Sequence, residues 1–100
     1  MRQPLISVFS APFQNTPNPF SPRTAIRFDL ARRSRVDLRV YDVSGRLVRT
    51  LLGGDLMDAG RHEAIWDGQS ESGGVMRAGL YFYRVAAGSF TETRRMVLVR

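Results

Sequence analysis

The sequence predicts an all-β protein, an antiparallel β-sandwich of about seven to eight short strands. Three observations carry that expectation. Apolar and polar residues alternate, as in Val36-Asp37-Leu38-Arg39-Val40, which is the period-2 pattern of a sheet with one wet face. Turn-forming residues recur at a spacing of roughly eight to twelve residues. No segment keeps a helical period over the roughly eleven residues that such a reading needs. Two antiparallel sheets must each bury one face, and short alternating strands with regular turns meet that demand. A small closed barrel is the alternative architecture.

Residues 4–13 form one extended strand, which Pro4 and Pro12 confine to a sheet edge. Its apolar members are Leu5, Ile6, Val8 and Phe9. Residues 14–23 hold three prolines and two asparagines and read as an ordered turn or polyproline-like stretch. The chain thus divides into an N-terminal extended segment, residues 1–16, and a sandwich over residues 17–100. Residues 24–30 alternate cleanly, with Ile26, Phe28 and Leu30 inward. Residues 31–35 turn the chain into a central hairpin, residues 36–52, built around Ser44-Gly45, where glycine takes positive φ without steric cost. Gly53-Gly54-Asp55 ends its second strand, and Ala59-Gly60 makes another turn. Residues 62–66 are a short strand whose Trp66 is the expected core anchor. Residues 67–74 are a glycine- and serine-rich loop. An aromatic strand follows over residues 79–85, with Tyr81, Tyr83 and Val85 on one face and Leu80, Phe82 and Arg84 on the other; one of these faces is core. Gly88-Ser89 turns it into a last strand, residues 90–99.

A chain of 100 residues with 43% hydrophobic residues can build a single core without staples. It has no cysteine, so no disulfide or thiolate metal site is available. The net charge is +6, and all fifteen basic residues are arginine. Nucleic-acid binding would need those arginines on one face. In sequence they are scattered: Arg27, Arg39, Arg49 and Arg84 fall on the polar faces of strands, and Arg32, Arg33 and Arg35 cluster at a turn. No nucleic-acid partner is expected. No membrane span is expected either, since no stretch approaches the roughly 20 apolar residues of a spanning helix. Met1-Arg2-Gln3-Pro4 and the apolar patch broken at Pro12 make a poor signal peptide.

Catalytic readings fare poorly. His62 is the only histidine, and no serine has the G-x-S-x-G spacing of a nucleophile elbow. Asp67 and Glu71 could be paired carboxylates, but they lie in a polar loop where solvated acids are the default. Asp67, Gln69 and Glu71 also alternate like an oxygen-ligand ladder, yet the calcium-loop pattern D-x-[DN]-x-[DN]-G is not met. The aromatic strand, Tyr81 in particular, could stack on sugars or bases; ordinary core packing is the simpler reading. The expectation is a protein that is not an enzyme, with no cofactor and no metal.

Five motifs, taken together and in order, point further. They are Pro17-Asn18-Pro19-Phe20, Tyr41-Asp42-Val43-Ser44-Gly45-Arg46, Trp66-Asp67-Gly68, Gly79-Leu80-Tyr81-Phe82-Tyr83 and Thr93-Arg94-Arg95-Met96-Val97-Leu98-Val99. The set resembles the C-terminal Ig-like sorting domains of the bacterial type IX secretion system, and the related Ig-like domain of the flagellar hook-capping protein. The similarity covers residues 17–100. It implies an Ig-like sandwich that acts as a non-enzymatic sorting or surface-anchoring module of a larger secreted protein, extracellular or on the cell surface. The partners it implies are an outer-membrane translocon or neighbouring subunits. The positions that match the family are Pro17, Asn18, Pro19, Asp42, Gly45 and Arg46, followed by Gly79, Tyr81, Arg94 and Arg95. Arg94, Arg95 and Arg100 stand where the family usually carries lysines, which keeps the charge but changes the hydrogen-bonding geometry. The competing expectation is a structural subunit, hook-cap-like or forming a homo-oligomer by strand addition through Leu5, Ile6, Val8 and Phe9.

Overall fold

The fold follows from which face of each strand is apolar. In a computed structural model, residues 6–7, 19 and 23–99 of the chain are described. They form β1 (Ile6–Ser7), β2 (Thr24–Leu30), β3 (Ser34–Tyr41), β4 (Leu47–Met57), β5 (Gly60–Trp66), β6 (Gly79–Ala87) and β7 (Phe90–Leu98). A three-stranded sheet of order β1-β2-β5 faces a four-stranded sheet of order β4-β3-β6-β7. Every pairing is antiparallel. Six of these strands run seven residues or more. Among the described residues full strands are therefore fewer than the seven to eight expected. The reason lies at two places. At β1 the described residues are Ile6 and Ser7, which pair opposite Leu30 and Asp29, and the rest of the expected 4–13 strand lies outside the described residues. The stretch between β5 and β6 contributes only the isolated bridge between Gln69 and Val75.

The inward residues of the two sheets make one core. Ile26, Phe28 and Leu30 of β2 meet Val36, Leu38 and Val40 of β3, all essentially removed from solvent. Each such side chain contributes about 1.5–3 kcal/mol relative to exposure. On β6 the buried face is Tyr81, Tyr83 and Val85, which settles the aromatic strand: Leu80, Phe82 and Arg84 point outward. Trp66 is fully buried at the end of β5, with its ring edge-on to Tyr81 at 5.2 Å and 65°. Its indole N–H donates to the Gln69 carbonyl at 2.9 Å.

Gly53-Gly54-Asp55 does not end β4, as the sequence led us to expect. The strand continues to Met57, and the register against β3 slips at three places, between Val36 and Asp37, Leu38 and Arg39, and Val40 and Tyr41. These irregularities absorb extra residues instead of terminating the pairing. Gly54 takes φ 80° there, a conformation that side chains with a Cβ rarely adopt.

Beyond Trp66 the polar loop folds back on the free edge of β4. The Glu71 amide donates to the Val48 carbonyl at 3.0 Å, and the Thr50 amide donates to the Glu71 carboxylate at 3.1 Å. An otherwise open strand edge is thereby covered.

Candidate protein-docking face

The outer face of the four-stranded sheet is organised in rows set by strand register. In one row Leu47, Tyr41, Phe82 and Arg95 lie opposite one another across β4, β3, β6 and β7. The next row is Thr50, Arg39, Arg84 and Thr93. On the other side of the aromatic row, Leu80 lies opposite Val97. The face therefore grades from aliphatic, through aromatic, to basic. Tyr41 and Phe82 are half-buried, while Leu80 and Val97 are each 37% exposed and Leu47 is 54% exposed. Beside the aromatic pair sits an apolar depression of about 290 Å³, lined by Tyr41, Val43, Phe82, Arg84 and Thr93 and, at the turn, by Asp42 and Gly45. A polar depression of about 160 Å³ adjoins it, between Asp37, Arg39 and Arg84.

Arg39 donates to the Asp37 carboxylate at 2.9 Å. Among the described residues Arg84 and Arg95 make no ion pair. Scattered in sequence, Arg39, Arg84 and Arg95 are gathered on one face by the fold. Sequence reasoning missed this grouping. It depends on the β3–β6 pairing, which no local pattern announces.

The motif positions resolve into structural roles. Asp42 closes the β3–β4 turn: its Oδ1 accepts from the Ser44 amide at 2.9 Å, the Ser44 hydroxyl at 2.7 Å and the Arg46 amide at 3.0 Å. The Ser44 hydroxyl, and then the Arg46 amide, hold this carboxyl below the usual aspartate value. Arg46 adds a 3.4 Å ion pair to the same side chain. Gly45 sits at φ 87° with nothing near the space a Cβ would take, and its amide donates to the Asp42 carbonyl. Gly79 opens β6 opposite Leu98. Tyr81 is 5% exposed and its hydroxyl donates to the Arg77 carbonyl at 2.8 Å. It is a core residue, so the sugar-stacking role considered for it has no exposed ring to work with. Phe82 and Tyr41 are the aromatics that the described residues place on the outer face of this sheet.

Adjacent in sequence, Arg94 and Arg95 part company on β7. Arg95 lies opposite Phe82 on the outer face, whereas Arg94 lies opposite Tyr83 on the core side, at the rim, where it pairs with Glu92. Pro19 is exposed. Pro17, Asn18, Leu5, Val8 and Phe9 lie outside the described residues, and Ile6 is on β1.

His62 has a packing role: its ring stacks on Phe28 at 5.6 Å, and Nε2 donates to the Asp58 carbonyl at 2.7 Å. The loop carboxylates face a cation already. Arg49 lies 3.6 Å from Asp67 and 3.4 Å from Glu71, and it donates to the Ser70 carbonyl. One guanidinium thus lies against both loop acids. Among the described residues no group of three or more histidine or acidic side chains could hold a metal ion.

Two packed antiparallel sheets with a polar turn motif and an outward aromatic–arginine face define an Ig-like β-sandwich. The chain belongs to the FlgD Ig-like domain family, whose profile matches residues 19–90. Solved structures share its fold, among them these three. Dimeric latent PorU from Porphyromonas gingivalis superposes with a TM-score of 0.71 at 23% identity, covering 86% of this chain and 9% of that one. FLGD from P. aeruginosa gives 0.58 at 26% identity, covering 75% of this chain and 58% of that one. PorZ, an essential surface component of the type-IX secretion system of Porphyromonas gingivalis, gives 0.60 at 16% identity, covering 87% of this chain and 11% of that one. The chain thus spans less than two thirds of each. No curated protein sequence matches it.

Proposed function

We propose that this domain is a non-enzymatic sorting or surface-anchoring module of a larger secreted bacterial protein, working outside the cell or on its surface. The observation that carries the reading is the way the same sandwich recurs as a small part of much longer chains. It corresponds to 9% of PorU and 11% of PorZ, and the latter is described as a type-IX secretion surface component. Residues 17–100 act as the unit, with an extended segment ahead of them. In this reading the terminal strand, with Arg94 and Arg95, meets a secretion translocon. The test is an immunoblot of cells and medium of the producing organism with an antibody against the domain. A band far above 11.3 kDa in the envelope or medium is expected. A band near 11.3 kDa confined to the cytoplasm overturns the reading.

Membership of the FlgD Ig-like family favours a second reading, a structural subunit that assembles with its neighbours. Ile6–Ser7 pairs with β2 of its own chain, and the same edge could receive that segment from another copy. Deleting residues 1–13 then abolishes any homo-oligomer, and oligomers that persist unchanged in sedimentation rule this reading out.

A further inference from the structure

We infer that the outer face of the four-stranded sheet is a docking site for an acidic protein segment carrying one large apolar anchor side chain. Arg39 and Arg84 lie directly opposite one another on β3 and β6. Like charges in that position destabilise a sheet. Asp37 relieves Arg39, but Arg84 and the neighbouring Arg95 have no ion-pair partner among the described residues. Arginines held together in this way are poised to receive carboxylates, which they bind in a bidentate fork.

The apolar end supplies the anchor site. Tyr41 and Phe82 form a cross-strand pair, half-exposed on the wet side of the sheet, and they wall the depression of about 290 Å³. That volume is at the lower limit of about 300 Å³ for small-ligand pockets and suits a single side chain better than a cofactor. Exposed Val43 lines it, and exposed Leu47, Leu80 and Val97 flank the aromatic pair in the strand register. Aromatic and arginine side chains at the centre of an apolar patch are the composition of an interface hot spot.

Charge decides between occupants. A second copy of this chain, itself at +6, meets repulsion across the face, and an acidic segment meets attraction. A single-stranded nucleic acid needs aromatic platforms spaced along a basic groove. Among the described residues Tyr41 and Phe82 are packed side by side on this face with an aliphatic margin, and the arginines lie to one side.

The test uses the 100-residue chain and a fluorescein-labelled heptapeptide with one phenylalanine flanked by three glutamates on each side. Saturable binding by fluorescence polarisation is expected, with amide shifts confined to residues 39–41 of β3, 82–84 of β6 and 93–97 of β7. Affinity falls as salt rises. Phe82→Ser and Arg84→Glu each weaken binding at least tenfold while keeping the wild-type circular dichroism, because both side chains point away from the core. A peptide with lysine flanks does not bind. Four results would overturn the inference: no saturation by millimolar peptide, shifts mapping to another face, equal affinity of both folded variants and wild type, or tighter binding of a short oligothymidylate than of the acidic peptide.

Discussion

Trp66→Ala tests the packing most severely. Trp66 is the largest side chain wholly buried between the sheets. Truncating a buried aromatic to alanine costs about 3–5 kcal/mol, cavity included. Two specific features push this site to the upper end. The edge-on contact with Tyr81 at 5.2 Å contributes about 0.5–1.5 kcal/mol beyond area burial. The indole hydrogen bond to the Gln69 carbonyl contributes about 1 kcal/mol and tethers the start of the 67–78 loop. We therefore expect a loss of about 4–5 kcal/mol, against the roughly 5–15 kcal/mol that holds a domain together. At about 4–8 °C per kcal/mol for a domain of this size, Tm falls by about 16–40 °C. Trp66→Phe keeps a ring against Tyr81 and loses the hydrogen bond, at about 1–2 kcal/mol. The assay is urea unfolding followed by far-UV circular dichroism, since Trp66 is the sole tryptophan and both variants lose its fluorescence. An alanine variant within about 2 kcal/mol of wild type, or a phenylalanine variant as damaged as the alanine one, refutes the reasoning.

Asp42→Asn should lower Tm at neutral pH, with the gap to wild type closing in acid. The folded carboxyl is held below its ordinary value of 3.8, so its contribution is full above that value and disappears as pH falls through the lower folded one. A gap that is constant from pH 7 to pH 2 contradicts this. Gly45→Ala places a Cβ at φ 87° and should cost about 1–2 kcal/mol by urea unfolding, with Gly45→Asn milder. Equal costs for the two would show that positive φ is not the cause. Arg49→Met removes the cation between Asp67 and Glu71, whose side chains are 47% and 65% exposed, so the loss should stay near 1 kcal/mol. Hydrogen exchange of the Thr50 and Glu71 amides should quicken, and unchanged protection would show that Arg49 does not hold the loop. Millimolar calcium should leave the wild-type Tm unchanged, and a rise would mean that the loop binds the ion despite Arg49.

Where one face was plainly apolar, the sequence was enough. Ile26, Phe28 and Leu30, or Val36, Leu38 and Val40, have polar neighbours between them, and period 2 assigns their faces without further information. The aromatic strand resisted the same logic because Leu80 and Phe82 are as apolar as Tyr81 and Tyr83. Only packing against Trp66 and β2 chooses between the two sets. The end of β4 was misjudged for a related reason. Gly53-Gly54 carries the signature of a turn, but bulges use the same conformational freedom within a continuing strand. Asp42 and Gly45 were legible as a turn, though not the three hydrogen bonds that make the aspartate its staple. The docking face was the least visible feature. Tyr41 and Phe82 become neighbours only through pairing of strands that are distant in sequence, and the meaning of Arg39 and Arg84 changes with that pairing.

The β3–β6 pairing at the centre of the larger sheet also fixes the order in which this domain can come into being. Tyr41 finds Phe82 only after β4, β5 and the loop beyond them have been made. Until Gly79 arrives, the β1–β2, β2–β5 and β3–β4 pairs can form, but β3 lacks the strand that lies beside it at the centre of the larger sheet. Isolated two-stranded ribbons of this kind are not stable in water. Contacts this distant in sequence also make for slow closure. A fragment that stops short of β6 therefore lacks Tyr81, Tyr83 and Val85 from its core and the Phe82–Arg84 half of the aromatic–arginine surface, so that surface appears only once β6 and β7 have been added.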